Sequence, residues 1–297
     1  MFDELNFGPV RFIPAPGKGR YPNCHSVYIE EAGVLIDPGS DRQRLQEMKD
    51  RGEVRQIWLT HWHEDHYTHL DLFPDVPLWI GEHDAPPLSD LELMLDWYGM
   101  SGPAECDFFR ESLREQFHFR PRTADRLLRD GEVVDLGCVT VEVINAPGHT
   151  PGHLALYFRE PQLLLLGDVD LTPFGPWYGD RDSSIEQTIA TVEKLRNIPA
   201  RVWLTSHETG VFTENPGALW DDYLQVIQRR EDQLREFLKS GHTLEEIVNA
   251  WIVYGKEREP RAFFEFGERA NIQKHLDRLV KAGEVVATGG VFVLSGI

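Results

Sequence analysis

Apolar and polar positions alternate in short runs through the first two thirds of the chain, the period expected of strands with one buried face. Residues 10–13, 26–29, 33–36, 56–60, 77–80, 139–146, 153–158, 163–166 and 201–205 each read as a strand bounded by turn residues. Between the last two runs the period lengthens. Ile185, Ile189, Val192 and Leu195 share a helical face, Ser183-Ser-Ile-Glu186 has capping-box spacing before them, and Pro199 closes the segment. Strands interleaved with helices predict an α/β layered domain. Residues 84–130 interrupt it with helix-like stretches at 88–98 and 107–117 and many aromatic and Arg side chains, the profile of a helical insertion or lid.

Beyond residue 218 the pattern turns helical. Tyr223, Val226, Ile227, Leu234 and Leu238 predict one long helix. Thr243-Leu-Glu-Glu246 forms a second capping box, with Leu244, Ile247, Val248, Trp251 and Ile252 on one face of the helix it opens. Ile272, Leu276, Leu279 and Val280 mark a third helix over 270–282, followed by two β runs around Gly289-Gly290. Helix, helix, hairpin is the order of a winged helix. The expected domains are therefore 1–218, layered α/β, and 219–297, helical and winged-helix-like.

Composition narrows the class. With 41% hydrophobic and 27% charged residues among 297, the chain has the apolar content of a folded globular protein. No apolar run approaches the ~20 residues of a membrane helix, and the N-terminus lacks a basic-then-apolar leader, so a cytoplasmic protein without membrane contact is expected. Cys24, Cys106 and Cys138 are too scattered for a disulfide framework. Charge says more: 49 acidic against 30 basic side chains give −19, and 36 of the acidic groups lie in residues 1–218. That balance disfavours nucleic acid and leaves a small molecule as the expected partner.

The densest chemical signal is Thr60-His61-Trp62-His63-Glu64-Asp65-His66, directly after the strand-like Ile57-Trp58-Leu59. In a chain with this many His and Asp, HxHxDH arises by chance about once in a thousand sequences. Imidazoles two apart at the end of an extended run can face one cation, while a carboxylate and a third imidazole one turn on can face its neighbour. Three further segments repeat the form of a strand ending on a ligand-type residue: Ala146-Pro-Gly-His149-Thr-Pro-Gly-His153, Leu163-Leu-Leu-Leu-Gly167-Asp168 and Trp203-Leu-Thr-Ser-His207.

With these motifs in this order the chain resembles the metallo-β-lactamase-fold hydrolase superfamily, αββα sandwiches with a two-metal site along the edge of their facing sheets. Val34-Leu-Ile-Asp37-Pro-Gly39 matches an element that superfamily shows near its start, and the resemblance covers about residues 7–215. It implies two divalent metal ions, zinc by family default with iron or manganese as alternatives. His61, His63 and His149 would bind the first, Asp65, His66 and His207 the second, and Asp168 would bridge them. The implied nucleophile is a bridging hydroxide, with Asp65 as the catalytic residue that orients it and shuttles its proton. Asp37 and His153 would support ligands from behind, Asp37 being otherwise a turn residue.

Within the superfamily, Gly-His-Thr-Pro-Gly-His and Leu-Gly-Asp resemble the glyoxalase II-like branch, which implies hydrolysis of a small ester, thioester or lactone. True β-lactamases generally lack the bridging carboxylate, and the RNA-processing nucleases insert a domain where only 38 residues separate Asp168 from His207. Trp177 and Tyr178, just after Asp168, are the expected substrate contacts. Tyr67-Thr68-His69 stands where many relatives have Gly-Gly. Alternatives are a phosphodiesterase or ribonuclease, suggested by the tail, and an iron-dependent sulfur dioxygenase or non-catalytic metal-binding regulatory protein. For the tail, packing, lid support or homo-oligomer formation is expected ahead of nucleic-acid binding.

Overall fold

The computed structural model describes residues 3–296. Seven strands form the first sheet in chain order: β1 (Leu5–Phe7), β2 (Val10–Ile13), β3 (Ser26–Ile29), β4 (Val34–Ile36), β5 (Gln56–Leu59), β6 (Leu78–Gly81) and β7 (Arg126–Leu128). The first four meander antiparallel, and β4 to β7 run parallel. Their connections carry α1 (Arg42–Asp50), α2 (Glu64–Tyr67), α3 (Leu91–Tyr98) and α4 (Pro103–Glu115). The second sheet holds β8 (Val133–Asp135), β9 (Thr140–Asn145), β10 (Leu154–Phe158), β11 (Leu163–Leu165), β12 (Val202–Leu204) and β13 (Val211–Phe212), with α5 (Ile185–Leu195) crossing between the parallel pair β11 and β12.

Alternation along the strands sorts side chains into layers. Val27 and Ile29 of β3, Val34 and Ile36 of β4 and Trp58 of β5 point between the sheets, where they meet Leu154, Leu156 and Phe158 of β10. Tyr28, Leu35, Ile57 and Leu59 point the other way, against Leu45 and Met48 of α1 and Met94 and Leu95 of α3. On the far side Ala155, Leu164 and Trp203 pack on Val192 and Leu195 of α5. The result is an αββα sandwich, and its strand ends converge on one edge.

The tail comprises α6 (Leu219–Phe237), β14 (His242–Thr243), α7 (Leu244–Val248), α8 (Arg261–Lys281), β15 (Val285–Thr288) and β16 (Val291–Leu294), the strands ordered β14-β16-β15. Its own core gathers Leu234, Leu238, Ile247, Ile272, Leu276 and Leu279. No helix among the described residues is long and apolar enough to cross a membrane.

Four sequence expectations need correction. Segment 84–130 is not wholly an insertion, because β7 closes the first sheet and the excursion lies between β6 and β7. The cap of α5 is Ser184, which accepts from the Gln187 backbone; Ser183 instead donates to the carbonyl of His149 at 2.5 Å. The capping box at Thr243 and Glu246 forms, but α7 ends at Val248 and Trp251 adopts φ 52, so Trp251 and Ile252 do not share its face. The third tail helix begins at Arg261 rather than 270; its first turns face the sandwich, so their apolar residues do not repeat the stripe that marks the tail core.

Candidate metal centre

The HxHxDH segment leaves β5 at Thr60 and turns into α2 with almost every side chain buried. His61 Nε2 lies 3.1 Å from His63 Nδ1 and 3.1 Å from His149 Nε2. Asp168 Oδ2 is 3.3 Å from His149 Nε2. Donors held at about 2.0–2.1 Å around one tetrahedral cation stand about 3.3 Å apart, so this spacing fits a shared ion. A second group adjoins it: His207 Nε2 is 3.5 Å from Asp65 Oδ2 and 3.4 Å from Asp168 Oδ2, and His66 Nε2 is 3.0 Å from Asp168 Oδ1. His66 Nε2 and Asp168 Oδ1 are buried without a hydrogen-bond partner. Orphaned polar atoms at that depth are costly unless a cation satisfies them. The residues present therefore fit a metal centre, with His61, His63, His149 and Asp168 in one donor group and Asp65, His66 and His207 in the next, which Asp168 meets at His66 and His207.

Each imidazole is turned by a partner behind it. His66 Nδ1 meets Asp37 at 3.0 Å, and His61 Nδ1 meets Thr60 Oγ1 at 3.0 Å. His149 Nδ1 meets the Trp177 carbonyl at 3.1 Å, His207 Nδ1 the Gly19 carbonyl at 2.5 Å, and His63 Nε2 Asp180 at 2.8 Å. Such partners fix ring orientation and tautomer. Asp37 itself sits at φ 51, where its carboxylate accepts from the backbone N–H and hydroxyl of Thr60. Gly39 completes that turn: a Cβ there would collide with the Asp65 carbonyl oxygen, so only glycine lets the turn press against the ligand segment.

Electrostatics match the geometry. Burial alone would favour protonated Asp168, but the neighbouring imidazoles hold it well below the usual carboxylate range. Burial opposes charge on His63 too, yet Asp180 lifts it to about 9. His153 falls to about 3 through burial and the nearby His149, and its neutral Nε2 accepts the backbone N–H of Asp168.

Over the centre opens a cavity of about 620 Å³. Glu64 forms part of its wall, its carboxylate accepting from Tyr21 and Tyr98. Arg20 and Arg258 stand at the cavity, Arg20 paired with Glu208 at 3.0 Å.

The structure brings together all seven residues expected as ligands and sets Asp37 and His153 directly behind them. Trp177 lines the cavity. Tyr178 does not: it is fully buried, and its hydroxyl meets His275 and Arg230 of the tail, both at 2.8 Å, which corrects the expectation of substrate contact. His69 turns away from the centre, its Nε2 meeting the Ser40 carbonyl at 3.1 Å. Sequence reasoning missed Asp180, Asp84 and Asp170. Asp84 accepts from Thr150 at 2.5 Å and from the Gly152 N–H at 2.6 Å, clamping the loop that presents His149, and Asp170 accepts the backbone N–H of His207 at 2.9 Å. An Asp two residues after Asp168 was the one available signal.

Residues 17–207 match the model of the metallo-beta-lactamase superfamily. The probable metallo-hydrolase YqgX of Bacillus subtilis is 27% identical over 202 residues, covering 65% of this chain and 88% of that protein. The hydroxyacylglutathione hydrolase GloC of Haemophilus influenzae is 28% identical over 158 residues, 50% of this chain and 66% of its own. An uncharacterized protein of Aquifex aeolicus is 29% identical over 153 residues, 50% and 64% respectively, so the match spans less than two thirds of the length of these last two relatives. Among solved structures, a metallo-beta-lactamase family protein from Thermus thermophilus superposes with TM-score 0.73 at 22% identity, covering 96% of this chain and 98% of that one. A beta-lactamase domain protein from Burkholderia ambifaria gives 0.71 at 19%, covering 99% and 94%. The shared fold thus extends over the tail.

Proposed function

The chain belongs to the metallo-β-lactamase superfamily of hydrolases, and from that premise we propose that it is a dinuclear metal hydrolase of a small-molecule ester, thioester or lactone. One observation carries the reading: the donor group His61, His63, His149 and Asp168 adjoins a second, Asp65, His66 and His207, Asp168 Oδ1 lies 3.0 Å from His66 Nε2 across them, and both of these atoms are orphaned. His61, His63 and His149 would hold one ion and Asp65, His66 and His207 the other, with zinc favoured and iron or manganese equally suited to N and O donors. Bound there, the ions would acidify the water between them and polarise the substrate carbonyl.

The chain's own groups do the rest. Asp65, whose Oδ2 faces His207, is placed to take the proton as water adds to the carbonyl carbon. The C–O or C–S bond then breaks, the alcohol or thiol takes up the proton held by Asp65, and the acyl part leaves as a carboxylate, releasing the second proton of the water to solvent. Residues 219–297 form, in this reading, a unit that completes the cavity rather than a nucleic-acid reader, because that segment holds 13 acidic against 11 basic groups. Several relatives, the one from Haemophilus influenzae among them, bear the name hydroxyacylglutathione hydrolase, which puts thioesters first in the panel.

The test is metal quantitation coupled to turnover of thioesters, p-nitrophenyl esters, lactones and bis-p-nitrophenyl phosphate. Two ions per chain with carbonyl substrates preferred is the expected result. An Asp168→Ala variant that kept both ions and full turnover would overturn the reading, as would preference for the phosphodiester. One iron with oxygen uptake would replace it by the dioxygenase.

A further inference from the structure

Resting on that reading, we propose that the substrate's acyl part is a bulky apolar group, aryl or medium-chain alkyl, selected by the aromatic face of α8. The cavity above the donor groups has the volume of a site for a drug-sized molecule rather than for a two- or three-carbon acyl group. Its walls are two aromatic rows that join separate parts of the chain. In one, Phe263 of α8 lies 5.1 Å from Tyr21 and 5.9 Å from Phe109 between ring centroids, and Phe266 lies 5.3 Å from Phe109. In the other, Tyr254 lies 5.5 Å from Phe174 and 5.1 Å from Phe264.

The first row is mostly phenylalanine, which offers no hydrogen bond. A hydroxyl, amide or charge seated there would lose its water without a partner, whereas an alkyl chain or ring loses nothing. A nucleobase could stack on these rings, but its polar edges would go unmatched. Asp65, Glu64 and His207 line the donor end, and Arg258 lies over the Tyr254 and Phe264 rings of the second row. The Phe263, Phe266 and Phe109 wall is thus the apolar part of the cavity, where a substituent of the carbonyl would lie.

Gly267 shows that the wall is built. A Cβ at this helical position would collide with the Tyr254 hydroxyl and lie 3.1 Å from the Trp177 ring. Glycine weakens a helix interior, and here it lets two cavity-lining rings close against α8.

The experiment uses the zinc-loaded full chain. Turnover of p-nitrophenyl esters from acetyl to decanoyl is measured together with calorimetric binding of the product-like carboxylates acetate, octanoate and 1-naphthoate, and of adenosine monophosphate. Moving a methylene from water to an apolar wall is worth about fourfold, so kcat/KM is expected to climb with chain length, and octanoate and naphthoate to bind where acetate does not. Phe263→Ala and Phe266→Ala should cut the octanoyl-to-acetyl ratio at least about tenfold, with Phe263→Leu retaining most of it. A flat or falling chain-length series with measurable ester hydrolysis overturns the inference and leaves the ester reading standing. Failure to hydrolyse any ester, thioester or lactone overturns that reading instead, and calorimetry then decides the pocket alone: tighter binding of adenosine monophosphate than naphthoate, or binding of neither, defeats it.

Discussion

His63 Nε2 lies 2.8 Å from Asp180 Oδ2, a residue 117 positions away, and this bond turns His63 Nδ1 toward His61. Losing such a partner typically costs 10–100-fold in metal affinity. Asp180→Asn is expected to weaken zinc binding by about that factor, measured by competition with a chromophoric chelator. The same pairing sets a pH dependence. With His63 raised from 6.5 to about 9, the metal-free fold gains stability that is complete below pH 6.5 and lost as pH climbs through 9. Metal must displace that proton, so zinc affinity should rise between pH 7 and 9 in the wild type and less steeply in Asp180→Asn.

Asp84 yields a second pH signature. Its burial raises the carboxyl from 3.8 to about 7, the hydrogen bonds from Thr150 and Gly152 offsetting only part of this. A raised acid favours the fold fully below its ordinary value, and that contribution disappears as pH rises through about 7. The melting temperature of the wild type should therefore fall by several degrees between about pH 4 and 7. Asp84→Asn, whose amide oxygen can still accept from Gly152 while its NH2 donates to the Thr150 hydroxyl, should remove most of that slope.

Lys274 of α8 donates to the carbonyls of Arg181 and Ser183 at 2.8 and 2.9 Å. Both residues come just after Asp180, the partner of His63, so the tail braces a support of the centre. Lys274→Met should cost about 1–2 kcal/mol of stability, read by chemical denaturation. It should also weaken zinc binding severalfold by chelator competition. An equal stability loss with unchanged zinc affinity would mean that the contact holds the fold only.

Removal of metal should be felt by the whole sandwich. A ligand present at a hundred times its dissociation constant adds about 2.7 kcal/mol to a fold that alone binds it. Dialysis against a chelator is expected to lower the melting temperature by several degrees and to abolish hydrolysis, and two equivalents of zinc should restore both.

How far the sequence reached follows from how local each signal is. The seven donor residues were visible because each ends a strand or fills one heptapeptide, and a strand end is where a sheet presents side chains to a shared edge. The sandwich was visible because Val27, Ile29, Leu154 and Leu156 alternate with a period of two. Asp180 was not, because nothing within its own loop distinguishes it; its role exists only where that loop crosses His63. Trp177 and Tyr178 were paired as cavity residues, yet adjacent side chains in extended chain point to opposite sides, so one lines the cavity and the other enters the tail. The first turns of α8 were lost for a related reason: Phe263, Phe264 and Phe266 serve a wall and not the tail core, so they fall outside the stripe that marks the rest of the helix.

Every proposed donor lies at or before position 207, whereas Tyr254, Phe263, Phe264 and Phe266 come from the tail. The donors are thus confined to the first part of the gene, whereas the aromatic wall is written in both parts, with Tyr21, Phe109 and Phe174 facing the rings of the tail. A tail recombined from another chain would reshape half of that wall, and would leave the centre intact only if it kept the Lys274 contacts beside Asp180.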